Sequence, residues 1–332
     1  MTYMDDNAET IDSAAFDDLR DRAYAHFDNG ELREASALFG ELSELRPEAA
    51  HLHYMRGLAH KYLRDWPASL AHNLRAQQLE ETFDEASAWN AGIAATALGD
   101  WAEARRQWAR CGMTVPDGEG PIETNFGTVS VRLNPWGNGE TVFARRIDIV
   151  RAQLLNVPLP ESGHRLFDIV LHDGAVTGER ALNGKTVPVF NVLQTLQRSD
   201  HQTFVAFVRC PTFEDATALE NAQLPGIGFV EDWTHSIRHL CLRCSYGVPH
   251  EAGEHRDGEA RNDDWTMDRH LGIGAQGKAA VQRLLADWAA AGPGRRVDAI
   301  EHRQVVVSGP VEGTVWWRGH DGDDGNEEES DA

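Results

Sequence analysis

Three short turns, Gly30-Glu31-Leu32, Arg64-Asp65-Trp66 and Gly99-Asp100-Trp101, recur after 34 and then 35 residues. That period restricts what the first third of the chain can fold into. Five residues past each turn's first residue stands a small side chain, Ala35, Ser69 or Ala104. Four further on comes Phe39, Asn73 or Trp108, and three later Leu42, Ala76 or Cys111. Seven residues before each turn stands another small residue, Ala23, Gly57 or Gly92, and the first and third copies close on Pro47 and Pro116. Two helices cross closely only where side chains are small, and a large side chain then fills the gap to the next pair. Asn73 makes the middle copy's large slot polar.

A repeat of this length with these positions resembles the tetratricopeptide repeat (TPR). The resemblance implies three helical hairpins over residues 16–118, stacked into an array whose first helices line a concave groove. The matching positions are Arg20, Tyr24 and Phe27, then His51, Tyr54, Leu58 and Lys61, then Trp89 and Ile93. An aromatic and apolar stripe with two cations at its rim suits an extended or helical peptide with aromatic anchors and an acidic group. It lacks the Lys/Asn/Arg clamp by which chaperone-binding TPRs hold a C-terminal carboxylate. Residues 119–127 or the C-terminal region filling the groove from within the same chain is the competing reading. Residues 143–148 and 156–165 are similar to a segment of uncharacterised bacterial TPR proteins, a likeness that names no activity.

At 332 residues the chain needs further domains. TPR arrays usually end in an extra helix, but here the last repeat runs into Pro116-Asp117-Gly118-Glu119-Gly120-Pro121, which cannot be helical. The exposed face is expected to dock on the C-terminal region as one rigid body. From residue 126 the apolar period changes to two, and short strands at 128–133, 141–144, 166–171, 178–182 and 186–192 predict a small barrel or curled sheet over 126–200. His172-Asp173-Gly174 reads as the turn between two of them, and Pro188 pushes the last towards an edge. Over 201–320 the order strand, helix, strand, strand, helix, strand predicts a ferredoxin-like α+β unit, followed by a final strand at 311–317.

Cys241, Cys244, His250 and His255 lie in a long polar connection, 241–265. Two thiolates and two imidazoles make the ligand set of a tetrahedral structural zinc site, and Gly247 and Pro249 let the chain fold back between the pairs. The spacing is tighter than in ordinary zinc fingers, and two half-buried cysteines beside solvated histidines give the same letters. A redox pair is disfavoured, because loop rather than helix follows Cys244. Cys111 and Cys210 read as inert core. Gly272-Ile273-Gly274-Ala275-Gln276-Gly277-Lys278 imitates a phosphate-binding loop. Ala279 supplies no hydroxyl for magnesium, and about 55 residues remain, too few to complete a doubly wound domain.

Net charge is −22, with acidic runs at both ends, and 321–332 reads as a disordered solvating tail. Such a chain is a poor candidate for nucleic acid or an anionic membrane, and a basic partner protein suits it. With no run of about 18 apolar residues and no basic-then-apolar leader, the expectation is a cytoplasmic protein. No nucleophile elbow, HExxH or supported carboxylate pair appears, so no catalytic residue is assigned. The expectation is therefore a non-enzymatic adaptor or protector working through the groove. The alternative is an enzyme or ligand-binding domain recruited by the repeats.

Overall fold

Helix boundaries in the first third follow from local chemistry. A computed structural model describes residues 6–137, 139–234, 265–303 and 305–318. Six helices fill the first part: α1 (Asp6–Asp28), α2 (Leu32–Leu45), α3 (Ala50–Leu63), α4 (Trp66–Leu79), α5 (Glu85–Leu98) and α6 (Trp101–Arg110). Aspartates cap three of them: Asp65 accepts from the Ala68 amide, Asp84 from Ala86 and Ser87, and Asp100 from Glu103. Gly30 and Gly99 take left-handed φ values of 78° and 72° at the turns inside the first and third hairpins. A Cβ at Gly92 would lie 2.6 Å from the Trp108 ring, and one at Gly57 would lie 2.4 Å from Asn73 Nδ2. The small positions are therefore the crossing points of paired helices. Asn73 is fully buried in its slot and donates to Ser69 O at 2.8 Å, while Ser69 Oγ donates to Gly57 O. These hairpins form a TPR-like array.

A strand-rich region follows. Strands β1 (Thr128–Leu133), β2 (Glu140–Arg146), β3 (Arg151–Leu154), β4 (Ile169–Leu182) and β5 (Lys185–Gln197) are hydrogen-bonded in that order, and β1 also pairs with β5 in parallel, closing the ring. Asn183 and Gly184, both at positive φ, make the tight β4–β5 turn. Two details differ from the sequence reading. His172-Asp173-Gly174 is no turn: β4 runs on through it with shifts of register, so the segment bulges out of one long strand. Pro188 sits opposite Glu179, one residue before the segment of β5 that pairs with β1, so its missing N–H costs the second ladder nothing.

The last sheet is built from β6 (Gln202–Arg209), α7 (Phe213–Glu220), β7 (Ile227–Asp232), β8 (Asp268–Ala275), α8 (Lys278–Ala290) and β9 (Arg296–His302). Its strand order is β7-β8-β6-β9, antiparallel throughout. Val281, Leu284, Leu285 and Trp288 of α8 pack with Ala216 and Leu219 of α7 on Phe204, Leu271 and Ile273. Two of the three glycines that imitate a phosphate loop answer to packing. A Cβ on Gly272 would lie 2.1 Å from Trp233, and one on Gly274 would lie 2.5 Å from Leu166. Residues 311–317 form no strand; they are a non-repetitive strap ending in Trp316 and Trp317, both buried in the array's own core. Residues 241–264 of the polar connection and the tail 321–332 lie outside the described residues.

Candidate functional site

The nine residues assigned to the groove stand on α1, α3 and α5, and later segments of the chain pack against part of that set. The bulge in β4 carries Asp173 and Gly174 onto the face. Lys61 Nζ donates to both Asp173 carboxylate oxygens at 3.2 Å, and the Tyr62 hydroxyl donates to Oδ2 at 3.2 Å. Both charged side chains of this pair are about 5% exposed. Burial, then the Asp173 carboxylate, holds the Tyr62 phenol well above its ordinary pKa. Trp89 packs edge-on against Trp108 at 5.2 Å, and a Cβ on Gly174 would fall 1.8 Å from Trp89 Nε1. The absent side chain of Gly174 is what lets the bulge reach the helices.

From the other direction comes the strap. Trp317 stacks on Tyr62 at 4.8 Å and lies 5.4 Å from Phe27, while Trp316 meets Tyr62 and Trp136 edge-on, each at 5.4 Å. Gly313 N donates to Gly30 O at 3.1 Å, Asn191 Nδ2 donates to Trp316 O, and Arg318 pairs with Asp28. The second and last hairpins are covered as well. Trp66 Nε1 donates to Gln194 Oε1 at 2.6 Å, and the Arg151 guanidinium lies 4.7 Å over Trp101. Ile122, Ile149, Val150, Leu171 and Leu193 share one core with Ile93, Ala94 and Trp108.

The nine residues assigned to the groove therefore divide. Phe27, Lys61 and Ile93 are buried under the chain's own segments, so the rim cation expected at Lys61 is an internal ion pair. The reason is Asp173, 112 residues away, which supplies a carboxylate that no local pattern reveals. Leu58 and Trp89 are half-buried beside them. Of the other four, His51 is exposed and Arg20, Tyr24 and Tyr54 are half-buried; Arg20 acts on Tyr24 and His51, while Tyr24 and Asp173 act on Tyr54. Burial first, then Arg46 and Arg20, lowers the His51 pKa, so the ring is neutral at pH 7. Burial raises both tyrosines, which keeps their hydroxyls as neutral donors. Arg20 is tied to Asp17 at 2.8 Å and Asp21 at 2.9 Å. Sequence reasoning missed Tyr62, Asp173, Gly174, Trp316 and Trp317; the paired tryptophans just before an acidic tail were the available signal.

His53 and His60 stack on His72 at 6.1 and 5.6 Å, and burial lowers His72 to a pKa of about 4. Cys241, Cys244, His250 and His255 lie outside the described residues, and among the described residues no set of three or more His, Cys, Asp or Glu side chains could hold a metal. Burial pushes the Cys111 and Cys210 thiols up to about 11, too high for a reactive thiolate. No helix among the described residues is long and apolar enough to cross a membrane.

No protein-family profile and no curated protein matches the chain. Among solved structures it is similar to the TPR2B domain of yeast Sti1 in complex with pHsp70, at 19% identity over 29% of this chain and 75% of that one, with a TM-score of 0.27. It is also similar to the first TPR of Spaghetti (RPAP3) bound to the HSP90 peptide SRMEEVD, at 21% identity over 28% and 72%, with a TM-score of 0.27. Scores this low say nothing about what this chain binds. Its own hairpin geometry is what makes the array TPR-like.

Proposed function

We propose that this protein is a non-enzymatic adaptor or protector that holds a polypeptide partner in its helical groove. One observation carries the reading. The chain covers Phe27, Lys61 and Ile93, yet leaves His51 exposed and Arg20, Tyr24 and Tyr54 half-buried. Tyrosine and arginine are the side chains that most often dominate binding energy, because each offers a large rigid surface with a polar tip. The partner is basic overall, since a chain of net charge −22 attracts such a protein at long range. The strand-rich region, read as a small barrel and a ferredoxin-like α+β unit, braces the array. Zinc on Cys241, Cys244, His250 and His255 staples the latter.

The test is affinity capture with intact protein, run beside Tyr24→Ala/Tyr54→Ala and a control altered on a surface away from the groove. A partner kept by the control and lost by the tyrosine variant supports the reading; one bound equally by all three overturns it. Metal analysis of the same preparations should find one zinc per chain, lost in Cys241→Ser/Cys244→Ser.

A further inference from the structure

Where the array, the five-stranded ring and the last sheet meet, the chain forms a cleft of about 450 Å³ that opens to solvent. Its wall carries Arg64, Arg165, Arg198 and Arg303 with His164 and His302 and, among the described residues, no aspartate or glutamate. In a chain of net charge −22 that is a local inversion of sign. Three of the arginines have protein partners. Arg198 donates to Gly163 O and lies 3.6 Å from Asp168, Arg165 donates to Ser199 O at 3.1 Å, and Arg303 pairs with Glu301.

Arg64 is different. Among the described residues its guanidinium has no hydrogen-bond acceptor and no carboxylate; it lies over the Trp136 ring at 5.4 Å and against Gly309. The neighbouring acid is engaged elsewhere, since Asp65 caps α4 and lies 3.3 Å from His60. The backbone makes the same point independently. Arg64 ends α3 at φ 61°, left-handed, at the position where the other two hairpins have Gly30 and Gly99. An L-side chain is disfavoured there and glycine is not. The middle hairpin thus keeps a long cation where its own repeat calls for glycine. A Cβ on Gly309 would fall 2.9 Å from Arg64 Nη2, so that glycine leaves room for the fork.

We infer that this cleft binds a small organic anion, a phosphate ester or carboxylate, with Arg64 as its principal contact. A planar guanidinium holds two oxyanion oxygens side by side, which a lysine cannot do. Trp136, Val305 and Val307 offer an apolar wall for the ligand's body, and the volume is that of a metabolite site. Arg303 and His302 stand at the same wall to share the charge.

The experiment is calorimetric titration of the full-length protein with phenyl phosphate, inorganic phosphate and benzoate at matched ionic strength. Tetramethylammonium serves as the cationic control. Saturable binding of at least one anion and none of the control is expected, and the ranking of the three separates phosphate from carboxylate recognition. Arg64→Gly should weaken that binding about tenfold or more. Because glycine accepts the left-handed turn, the variant should melt no lower than the parent, which separates lost recognition from lost folding. Arg64→Asn, which also tolerates that conformation, should behave alike. Failure of every anion to bind the parent, or undiminished binding by both variants, overturns the inference.

Discussion

Lys61 and Asp173 meet where neither can reach water, and that fixes what each substitution does. Lys61→Met leaves a buried carboxylate with only the Tyr62 hydroxyl and a long contact to the Ala175 amide. Breaking such a pair from one side costs about 3–5 kcal/mol. Removing both charges in Lys61→Met/Asp173→Leu should cost less than the single change, and urea unfolding of the three proteins reads the difference. Glu140 predicts a pH effect. Burial, aided by the neighbouring Glu231 and Glu161, pushes its carboxyl from 4.5 to about 8, against the Leu159 amide and the Ser162 hydroxyl. A carboxyl raised in the folded state favours folding fully below about 4.5, and that favour is lost as pH climbs through about 8. Glu140→Gln keeps an oxygen for the Leu159 amide but cannot ionise. Its urea midpoint should match the parent's near the acid end of that window and exceed it at the alkaline end. Parallel pH profiles for the two proteins would contradict this assignment.

At the scale of elements, the helix crossings set the tolerance to added volume. Gly92→Ala gains about 1 kcal/mol of helix propensity. It also drives a methyl into the Trp108 ring, and overpacking of this kind costs about 1–3 kcal/mol. The net effect should be a lower melting temperature, whereas Gly120→Ala, with nothing within 4 Å, should leave it unchanged. The hairpins were legible in the sequence because each crossing demands a small residue and each turn a cap, and both demands repeat. Much else was written only in distant partners. His172-Asp173-Gly174 has the composition of a turn, yet it bulges, because Asp173 is drawn to Lys61 and Gly174 fits under Trp89. The alternation through Val311, Gly313, Val315 and Trp317 mimics a strand. The ring beside it is already closed, so that segment gives its tryptophans to the helices instead. Strand β3, only four residues long, carried too short a pattern to see. Of the groove, the aromatic stripe was visible; which half of it the chain would cover was not.

At the scale of the whole molecule, the helical array does not keep its core to itself. The largest apolar cluster runs from the helices into the strands and the strap, beside separate cores in the ring and the last sheet. Phe27, Tyr62, Ile93 and Trp108 of the array lie in the same apolar cluster as Ile122, Ile149, Val150, Leu171, Leu193, Trp316 and Trp317. A TPR hairpin buries its apolar side only against a neighbour, and an array without a terminal cap leaves its last face wet. Here the cap is the segment at Ile122, the strands that carry Leu171 and Leu193, and the strap. Cutting the chain after residue 118 would expose the seats of both tryptophans together with the surface under Ile149 and Val150. It would also strip Lys61 of its carboxylate partner. A fragment of residues 1–118 should therefore self-associate or melt over a broad range, while the full chain loses its helical and its tryptophan signals in one transition. Circular dichroism and fluorescence melts, with sedimentation of the fragment, measure both. Two changes in the strap, Trp316→Ala and Trp317→Ala, should produce a milder form of the same effect, with faster proteolysis after residue 303. A fragment that stays monomeric and melts sharply would show that the repeats hold themselves together. The contacts at Asp173 and Trp317 would then be a closure that a partner could displace.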